Sequence, residues 1–246
     1  MSRDAQVAKD FAKAETLFQD GNYYKAAEVF REVYENNPES SLAPEALYRS
    51  GDILNVYLDK YQEAILAFLL VNRDYPDTEW SVQAQRQVAE IYKTRLRDYT
   101  QAIVAYQKLL DSGVSEADRV QYEIADAYFR LNNYEQARIE FESLLKNFPD
   151  SALIPEVQYR IALAYSLDGQ LSKAETAFRE VVAKWPDDLF ALEARFGLAS
   201  VLEEQERLRE SLKVLQDLKD VYPNKDALMK RIKQVEDRMK KKKKAI

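Results

Sequence analysis

Carboxylates are the main candidates for chemistry in this sequence, because histidine and cysteine are both absent. Their absence removes the usual proton shuttle at neutral pH, the thiolate nucleophile and the nitrogen and sulfur ligands of zinc. Pairs such as Glu203-Glu204 and Asp187-Asp188 stand on charged stretches that are typical of solvated helix faces. Catalysis by two carboxyls needs a pocket that separates their pKa values. We therefore predict no enzyme, no catalytic residues and no metal site.

Phosphate and nucleotide binding are also disfavoured by the glycine pattern. The five glycines stand singly, so no glycine-rich loop can surround a phosphate group. We predict no cofactor. An enzyme whose active site lies in a groove between helices stays as a further hypothesis, and loss of turnover on replacing one groove carboxylate would support it.

The elements that position these side chains are predicted to be paired helices. Residues 120–149 show one apolar stripe at helical spacing, then Leu131-Asn132-Asn133 as a tight connection, then a second stripe. The same pattern recurs along the chain, aligned on a small residue that opens each second helix. These residues are Ala26, Ala64, Ala102, Ala137, Ala174 and Ser211.

Other positions recur with the same period. An aromatic or leucine follows four residues later, and proline follows after twelve in every repeat but the third, where Gly113 is expected to end the helix. A small residue also recurs in each first helix, where the two helices must cross closely. These crossing residues are Ala14, Gly51, Ala89, Ala125, Ala162 and Ala199.

This pattern resembles the tetratricopeptide repeat family, and the resemblance covers nearly the whole chain. It implies an all-α, right-handed superhelical solenoid of about six hairpins with first helices on the concave face, treated as one domain over residues 1–224. A C-terminal capping helix with a basic tail follows at 225–246. The repeats are expected at about 7–40, 44–77, 82–115, 118–151, 155–188 and 192–224.

The resemblance also implies a groove for a protein partner. At the family's groove positions the sequence places aromatic side chains with carboxylates beside them, which favours a basic or amphipathic segment as the ligand. The predicted partner-binding residues are Phe11, Glu15, Phe18, Tyr48, Asp52, Glu90, Tyr122, Asp126, Phe129, Tyr159 and Phe196. The alternative is that the rings pack between neighbouring hairpins and that the acids keep the groove hydrated.

The charge distribution separates the chain into an acidic body and a basic end. Residues 225–246 hold ten Lys/Arg against three acids, a net +7, which leaves −13 for residues 1–224. The terminal run could contact an anionic surface such as a membrane, or could be a frayed helix end whose cations complement the helix dipole. No specific nucleic-acid binding is expected. The residues of the run are Lys240, Lys241, Lys242, Lys243 and Lys244.

The function predicted from the sequence is a non-catalytic scaffold or adaptor that binds a partner segment within a multiprotein assembly. The joints between repeats, such as residues 148–160, resemble bacterial envelope repeat proteins of the outer-membrane assembly lipoprotein and Tol-Pal coordinator types. An envelope assembly factor of the same fold is therefore the alternative function. The sequence as written indicates a cytoplasmic protein, and a periplasmic or outer-membrane location is the alternative for a mature form.

Overall fold

The structure, a computed structural model, describes residues 3–244, with side chains described up to residue 242. Within that range it is built from α-helices and contains no strand. The predicted all-α fold of helical hairpins is confirmed. The helices are α1 (Arg3–Gln19), α2 (Tyr23–Asn36), α3 (Ala43–Val56), α4 (Tyr61–Asp74), α5 (Glu79–Glu90), α6 (Tyr99–Asp111), α7 (Ala117–Arg130), α8 (Tyr134–Asn147), α9 (Ile154–Leu167), α10 (Leu171–Lys184), α11 (Leu189–Glu204), α12 (Leu208–Asp217) and α13 (Lys225–Lys244).

The chain divides into two compact units, Met1–Ala127 and Tyr128–Ile246, which we call the N-terminal unit and the C-terminal unit. In the N-terminal unit, each of α1 to α5 packs against the helix that follows it. In the C-terminal unit the same holds from α8 to α13. The division into six repeats over 1–224 with a separate terminal helix stays a prediction.

Small residues at the helix crossings allow this close packing. Five of the six predicted crossing residues are alanines, and none of these five is more than 1% exposed. The sixth is Gly51, where an added Cβ would lie 2.9 Å from the Phe68 ring. The aromatic residues of the second helices, such as Phe68 and Phe141, fill the space around the crossings and are fully buried. The crossing position therefore limits side-chain size in every hairpin.

Each of the six hairpin connections contains one residue in the left-handed region. Left-handed backbone is costly for residues with a Cβ, and asparagine and aspartate tolerate it better than most. The turn predicted at Asn132 is confirmed by its φ of 57°. The six residues with their φ values are Gly21 (75°), Asp59 (53°), Arg97 (53°), Asn132 (57°), Gly169 (74°) and Glu206 (62°).

The third hairpin differs from the others at two places. A π-helical turn, Ile91–Arg95, continues α5 and accommodates inside the helix the one residue by which this hairpin is longer than the next, since Ala102 follows Ala89 by thirteen residues and Ala137 follows Ala125 by twelve. Gly113 has a φ of 74° and ends the segment after α6, as predicted, where other repeats use proline. The side chain of Ser112 donates to the carbonyl of Leu109 at 2.7 Å and satisfies one of the last helical carbonyls.

Candidate functional site

The candidate site lies on the surface formed by the first helix of each hairpin, which we call the first-helix face. In the N-terminal unit this face is made by α1, α3, α5 and α7, and in the C-terminal unit by α9 and α11. First helices of neighbouring hairpins contact each other directly, as α3 does with α5 and α9 with α11. Side chains from consecutive repeats therefore meet on this face.

Several of the predicted partner-binding aromatics are used in packing within their own unit. Phe11 is only 8% exposed and meets Phe30 edge-on with ring centroids 5.2 Å apart. Tyr48 is partly buried and lies 5.2 Å from the Trp80 ring at the start of α5. In the C-terminal unit Tyr159 packs against Phe190 at 5.7 Å. Phe196 stacks on a tyrosine of the α12–α13 segment at 5.1 Å. These rings serve the contact between hairpins that the alternative interpretation describes, and only their remaining surface is open to a partner.

Phe18, Tyr122 and Phe129 keep intermediate exposure on the same face. Phe18 lies beside Tyr57, with ring centroids 5.1 Å apart and the planes at 86°. In the C-terminal unit the Arg160 guanidinium lies 5.6 Å from the Phe129 ring centroid. Phe18 and Phe129 therefore retain partly exposed aromatic surface near the hairpin turns.

The predicted carboxylates do not share one environment, because some are paired with cations of the next repeat. Glu15 of α1 forms an ion pair with Arg49 of α3 at 3.3 Å. Asp126 of α7 is buried and lies 3.0 Å from the ammonium of Lys93 in the π-helical turn. Lys93 also bonds Glu123 of α7. Their negative charge is thus compensated within the chain.

Sequence reasoning did not identify Arg49 and Glu123 as part of this face. Both stand two residues before the crossing residue of their repeat, one position away from the groove positions that were considered. Comparing charges at that position with those of the preceding or following repeat would have revealed the pairing.

Several charged side chains lie close together in the α5–α7 region. Glu90 accepts a hydrogen bond from the hydroxyl of Tyr106 at 2.8 Å. Burial raises the pKa of Glu123, the cation of Lys93 lowers it, and the nearby carboxylates of Glu90 and Asp126 raise it again. Although burial opposes its charge, bonds to Glu123 and Asp126 raise the pKa of Lys93. The charges of Lys93, Glu123 and Asp126 therefore influence one another across the contact between α5 and α7.

Asp52 differs from Glu15 and Asp126. Among the described residues it has no hydrogen bond or ion pair, although it is partly buried. Burial raises the pKa of its carboxyl above the ordinary range, and the charge of Arg49 offsets this only in part. Asn55, one turn further along α3, is 7% exposed, and its Oδ1 has no hydrogen-bond partner within residues 3–242. The stretch Asp52–Asn55 therefore carries oxygen acceptors that lack donors.

On the first-helix face of the C-terminal unit, an acid of the last first helix, α11, is paired with arginines of α13. Glu203 of α11 is 6% exposed and lies 2.8 Å from Arg231 and 2.7 Å from Arg238, both in α13. Leu228 and Val235 of α13 are fully buried against the last hairpin. The basic helix is thus fixed to the unit by an apolar stripe and by buried charge pairs.

The terminal lysines have mixed surroundings. Lys240, Lys241 and Lys242 are exposed, and Lys242 forms an ion pair with Glu206 at 2.5 Å. The side chains of Lys243 and Lys244 lie outside the described residues. Contact of this run with an anionic surface stays a prediction.

Two further features concern metal binding and membrane crossing in the described part of the chain. No group of three or more acidic side chains there has an arrangement that could hold a metal ion. None of the helices described between residues 3 and 244 is both long and apolar enough to cross a bilayer.

Comparisons with known proteins agree on the fold. A search of curated proteins finds no match. Among solved structures, a tetratricopeptide repeat protein from Parabacteroides merdae ATCC 43184 has a TM-score of 0.56 at 17% identity, over 93% of this chain and 98% of that one. YrrB, described as a tetratricopeptide protein with an unusual peptide-binding site, has a TM-score of 0.58 at 15% identity, over 84% and 99%. PilW, a type IV pilus biogenesis factor, has a TM-score of 0.57 at 14% identity, over 94% and 100%.

The sequence itself is matched by the family description "Tetratricopeptide repeat" over residues 11–77, 93–152 and 159–226. These three segments cover well over half of the chain and contain most of the helical hairpins described above. The repeated crossing residues, the aromatic residues of the second helices and the left-handed hairpin turns are the structural counterpart of that match. The chain therefore belongs to the tetratricopeptide repeat family.

Proposed function

We propose that this protein is a non-catalytic interaction scaffold that binds a basic, apolar segment of a partner protein on its first-helix face. Tetratricopeptide repeat proteins typically act as protein-interaction scaffolds. The observation that carries the proposal is that the partly buried carboxylate of Asp52, which has no ion pair among the described residues, shares the first-helix face of the N-terminal unit with partly exposed aromatic rings. Such a surface favours cationic side chains beside apolar anchors.

The carboxylates of this face are suited to recognition for a physical reason. Partly buried charges are less screened by salt than exposed ones, so an approaching cation gains more from them. Glu123 and Asp126 pair with Lys93, whereas Asp52 has no ion pair among residues 3–242. Rigid helices hold these groups in place before binding, which lowers the entropy lost on association.

The nearby aromatics supply the apolar part of the contact. Phe18 and Tyr57 present a pair of rings at the hairpin end of the face, and Tyr57 is 43% exposed. Aromatic side chains offer a large contact area with few rotatable bonds, which is why they are enriched in binding sites. YrrB, a protein of the same fold, is described as having a peptide-binding site, which is consistent with this use of the face.

Site-specific crosslinking tests the proposal. A photoreactive phenylalanine analogue is placed at Phe18 on the first-helix face and, as a matched control, at Leu66 on the second helix α4, which is 60% exposed. A displayed library of random 12-residue peptides is selected for binding, and selected peptides are irradiated with each variant. We expect peptides rich in lysine, arginine and aromatics to crosslink from position 18 and not from position 66. Equal crosslinking from both positions, or selection of acidic peptides, would contradict the proposal.

A further inference from the structure

The joint between α3 and α5 differs from the other joints of the N-terminal unit in one respect. At the α1–α3 joint, Arg49 supplies a cation to Glu15. At the joint between α5 and α7, Lys93 supplies a cation to Glu123 and Asp126. The α3–α5 joint carries Asp52, which forms no ion pair with a cation within residues 3–242.

The sequence explains why this cation is missing. Arg49 stands two residues before the crossing residue Gly51, and the corresponding residue in α5 is Gln87, which is neutral. The guanidinium of Arg86, the residue before Gln87, already forms an ion pair with the carboxylate of Glu116 at 3.4 Å. The hydroxyl of Tyr48 bonds Gln87 and also experiences the charge of Asp52, so these three side chains lie close together.

A second, independent feature lies at the same place. Asn55 is buried over more than nine-tenths of its surface, and its Oδ1 has no hydrogen-bond donor among the described residues. A buried acceptor without a donor costs free energy, which a ligand donor would recover. Residues 48, 52 and 55 follow helical spacing, so an aromatic ring, a carboxylate and an amide lie in a row on one face of α3.

We infer that Tyr48, Asp52 and Asn55 form a subsite for one arginine side chain of the partner segment. A guanidinium group is planar, stacks on aromatic rings and presents several N–H donors in a fixed geometry. It can donate two hydrogen bonds to the carboxylate of Asp52 and a further one to Asn55, while its flat face meets Tyr48. The partner's arginine would supply the positive charge that Arg49 gives Glu15 and that Lys93 gives Asp126 at the other two joints. This inference rests on the proposed function, since it assigns chemistry to part of the same face.

Arginine fits this subsite better than lysine for two reasons. An ammonium is a compact, strongly hydrated charge and loses more hydration free energy on entering a partly buried place. It also cannot bond both carboxylate oxygens in one plane. The subsite therefore discriminates between the two cations as well as between charged and neutral side chains.

The test uses the full chain and peptides selected from the random 12-residue library. Each arginine of a selected peptide is replaced in turn by citrulline, which keeps the shape without the charge, and by lysine. Affinities are measured by fluorescence anisotropy for the unchanged protein and for Asp52→Asn. We expect one arginine whose replacement by citrulline weakens binding about tenfold or more in the unchanged protein and much less in Asp52→Asn.

Two further variants make the test specific. Gln87→Arg supplies the missing cation within the chain, so it should weaken binding about as much as Asp52→Asn while the protein melts at the same or a higher temperature. Glu63→Gln is the control, because Glu63 is an acid on the second helix α4 that already pairs with Lys60, and it should change the affinity less than about threefold. A Tyr48→Phe variant should retain the arginine preference, since it keeps the ring.

Each outcome decides between the alternatives. If selected peptides bind the first-helix face but Asp52→Asn and Gln87→Arg leave their affinity within about threefold, the arginine subsite is wrong and the proposed function stands. Lysine peptides that bind as tightly as arginine peptides would overturn the assignment to guanidinium. If no selected peptide crosslinks to the face, the proposed function fails, and the subsite with it.

Discussion

Asp52 in the N-terminal unit and Glu203 in the C-terminal unit are acids on the first-helix face with opposite surroundings. Glu203 is held by Arg231 and Arg238 of α13, whereas Asp52 has no ion pair among the described residues. Asp52 stands one residue after the crossing residue Gly51, and Glu203 stands four residues after Ala199. Cations on a later helix therefore decide whether an acid of this face has a partner within the chain.

The two acids also differ in how their negative charge affects the stability of the folded protein. Glu203 is 6% exposed and is paired with two arginines of α13. Removing one partner of a buried ion pair leaves the other charge without compensation, which is strongly destabilising. Asp52 has no such partner, and burial instead shifts its carboxyl toward the protonated form. Glu203 thus stabilises the C-terminal unit through ion pairs, whereas Asp52 in the N-terminal unit has no such pair among the described residues.

The largest expected effect on stability comes from removing the buried acid of the C-terminal unit, Glu203. Glu203→Ala should lower the free energy of unfolding by about 2–3 kcal/mol, below the full value for a buried pair because Arg231 and Arg238 are partly exposed and can regain water. Urea denaturation measures this. Lys242→Ala is the control, because its exposed pair with Glu206 should contribute less than about 1 kcal/mol. Equal effects of the two variants would mean that the buried pairs do not hold α13.

A second variant adds a cation near Asp52 in the N-terminal unit. Gln87→Arg places a cation two residues before the crossing residue of α5, as Arg49 does in α3, and should form an ion pair with Asp52. We expect a gain of about 0.5–1 kcal/mol in the free energy of unfolding, which 1 M NaCl should reduce by screening. Thermal melts at low and high salt measure it. A loss of stability at low salt would show that Asp52 is not accessible to the residue at position 87.

The smallest expected effect concerns pH. Since the pKa of Asp52 is raised in the folded protein, the folded state binds more protons than the unfolded state between the ordinary value of 3.8 and the raised value. The contribution of Asp52 to stability therefore falls as the pH rises through that window. Asp52→Asn should be more stable than the unchanged protein at pH 7, by about 0.5 kcal/mol or less, and this advantage should vanish below pH 3.8.

Denaturation curves of both proteins at several pH values measure this last difference. Glu15→Gln serves as the comparison, because an acid already paired with Arg49 should give no gain at pH 7. An Asn variant that is less stable than the unchanged protein at pH 7 would indicate that Asp52 has a stabilising partner within the chain.

Local patterns in the sequence were sufficient for the fold. The crossing alanines and Gly51 could be predicted because close helix packing tolerates only small side chains, and Asn132 because its turn needs a left-handed residue. The left-handed residues Arg97 and Glu206 carry no such signal, since neither residue type favours that conformation.

The candidate site was less accessible to sequence reasoning. Groove positions taken from the family gave Phe11 and Tyr48 without revealing how much of each ring is used in packing. The pairing of Lys93 with α7 depends on contacts between repeats and on a π-helical turn, which no local pattern in α5 indicated. Which of the predicted residues contact a partner stays a prediction.

The π-helical turn at Ile91–Arg95 has a consequence for how such chains can vary in length. It widens the helix locally to take up one residue, and α6 still packs on α5 with Tyr106 reaching Glu90. An insertion at this point therefore changes which way a few side chains face and leaves the stacking of the hairpins intact. Single-residue insertions give a repeat array a way to alter one part of its surface without rebuilding its core.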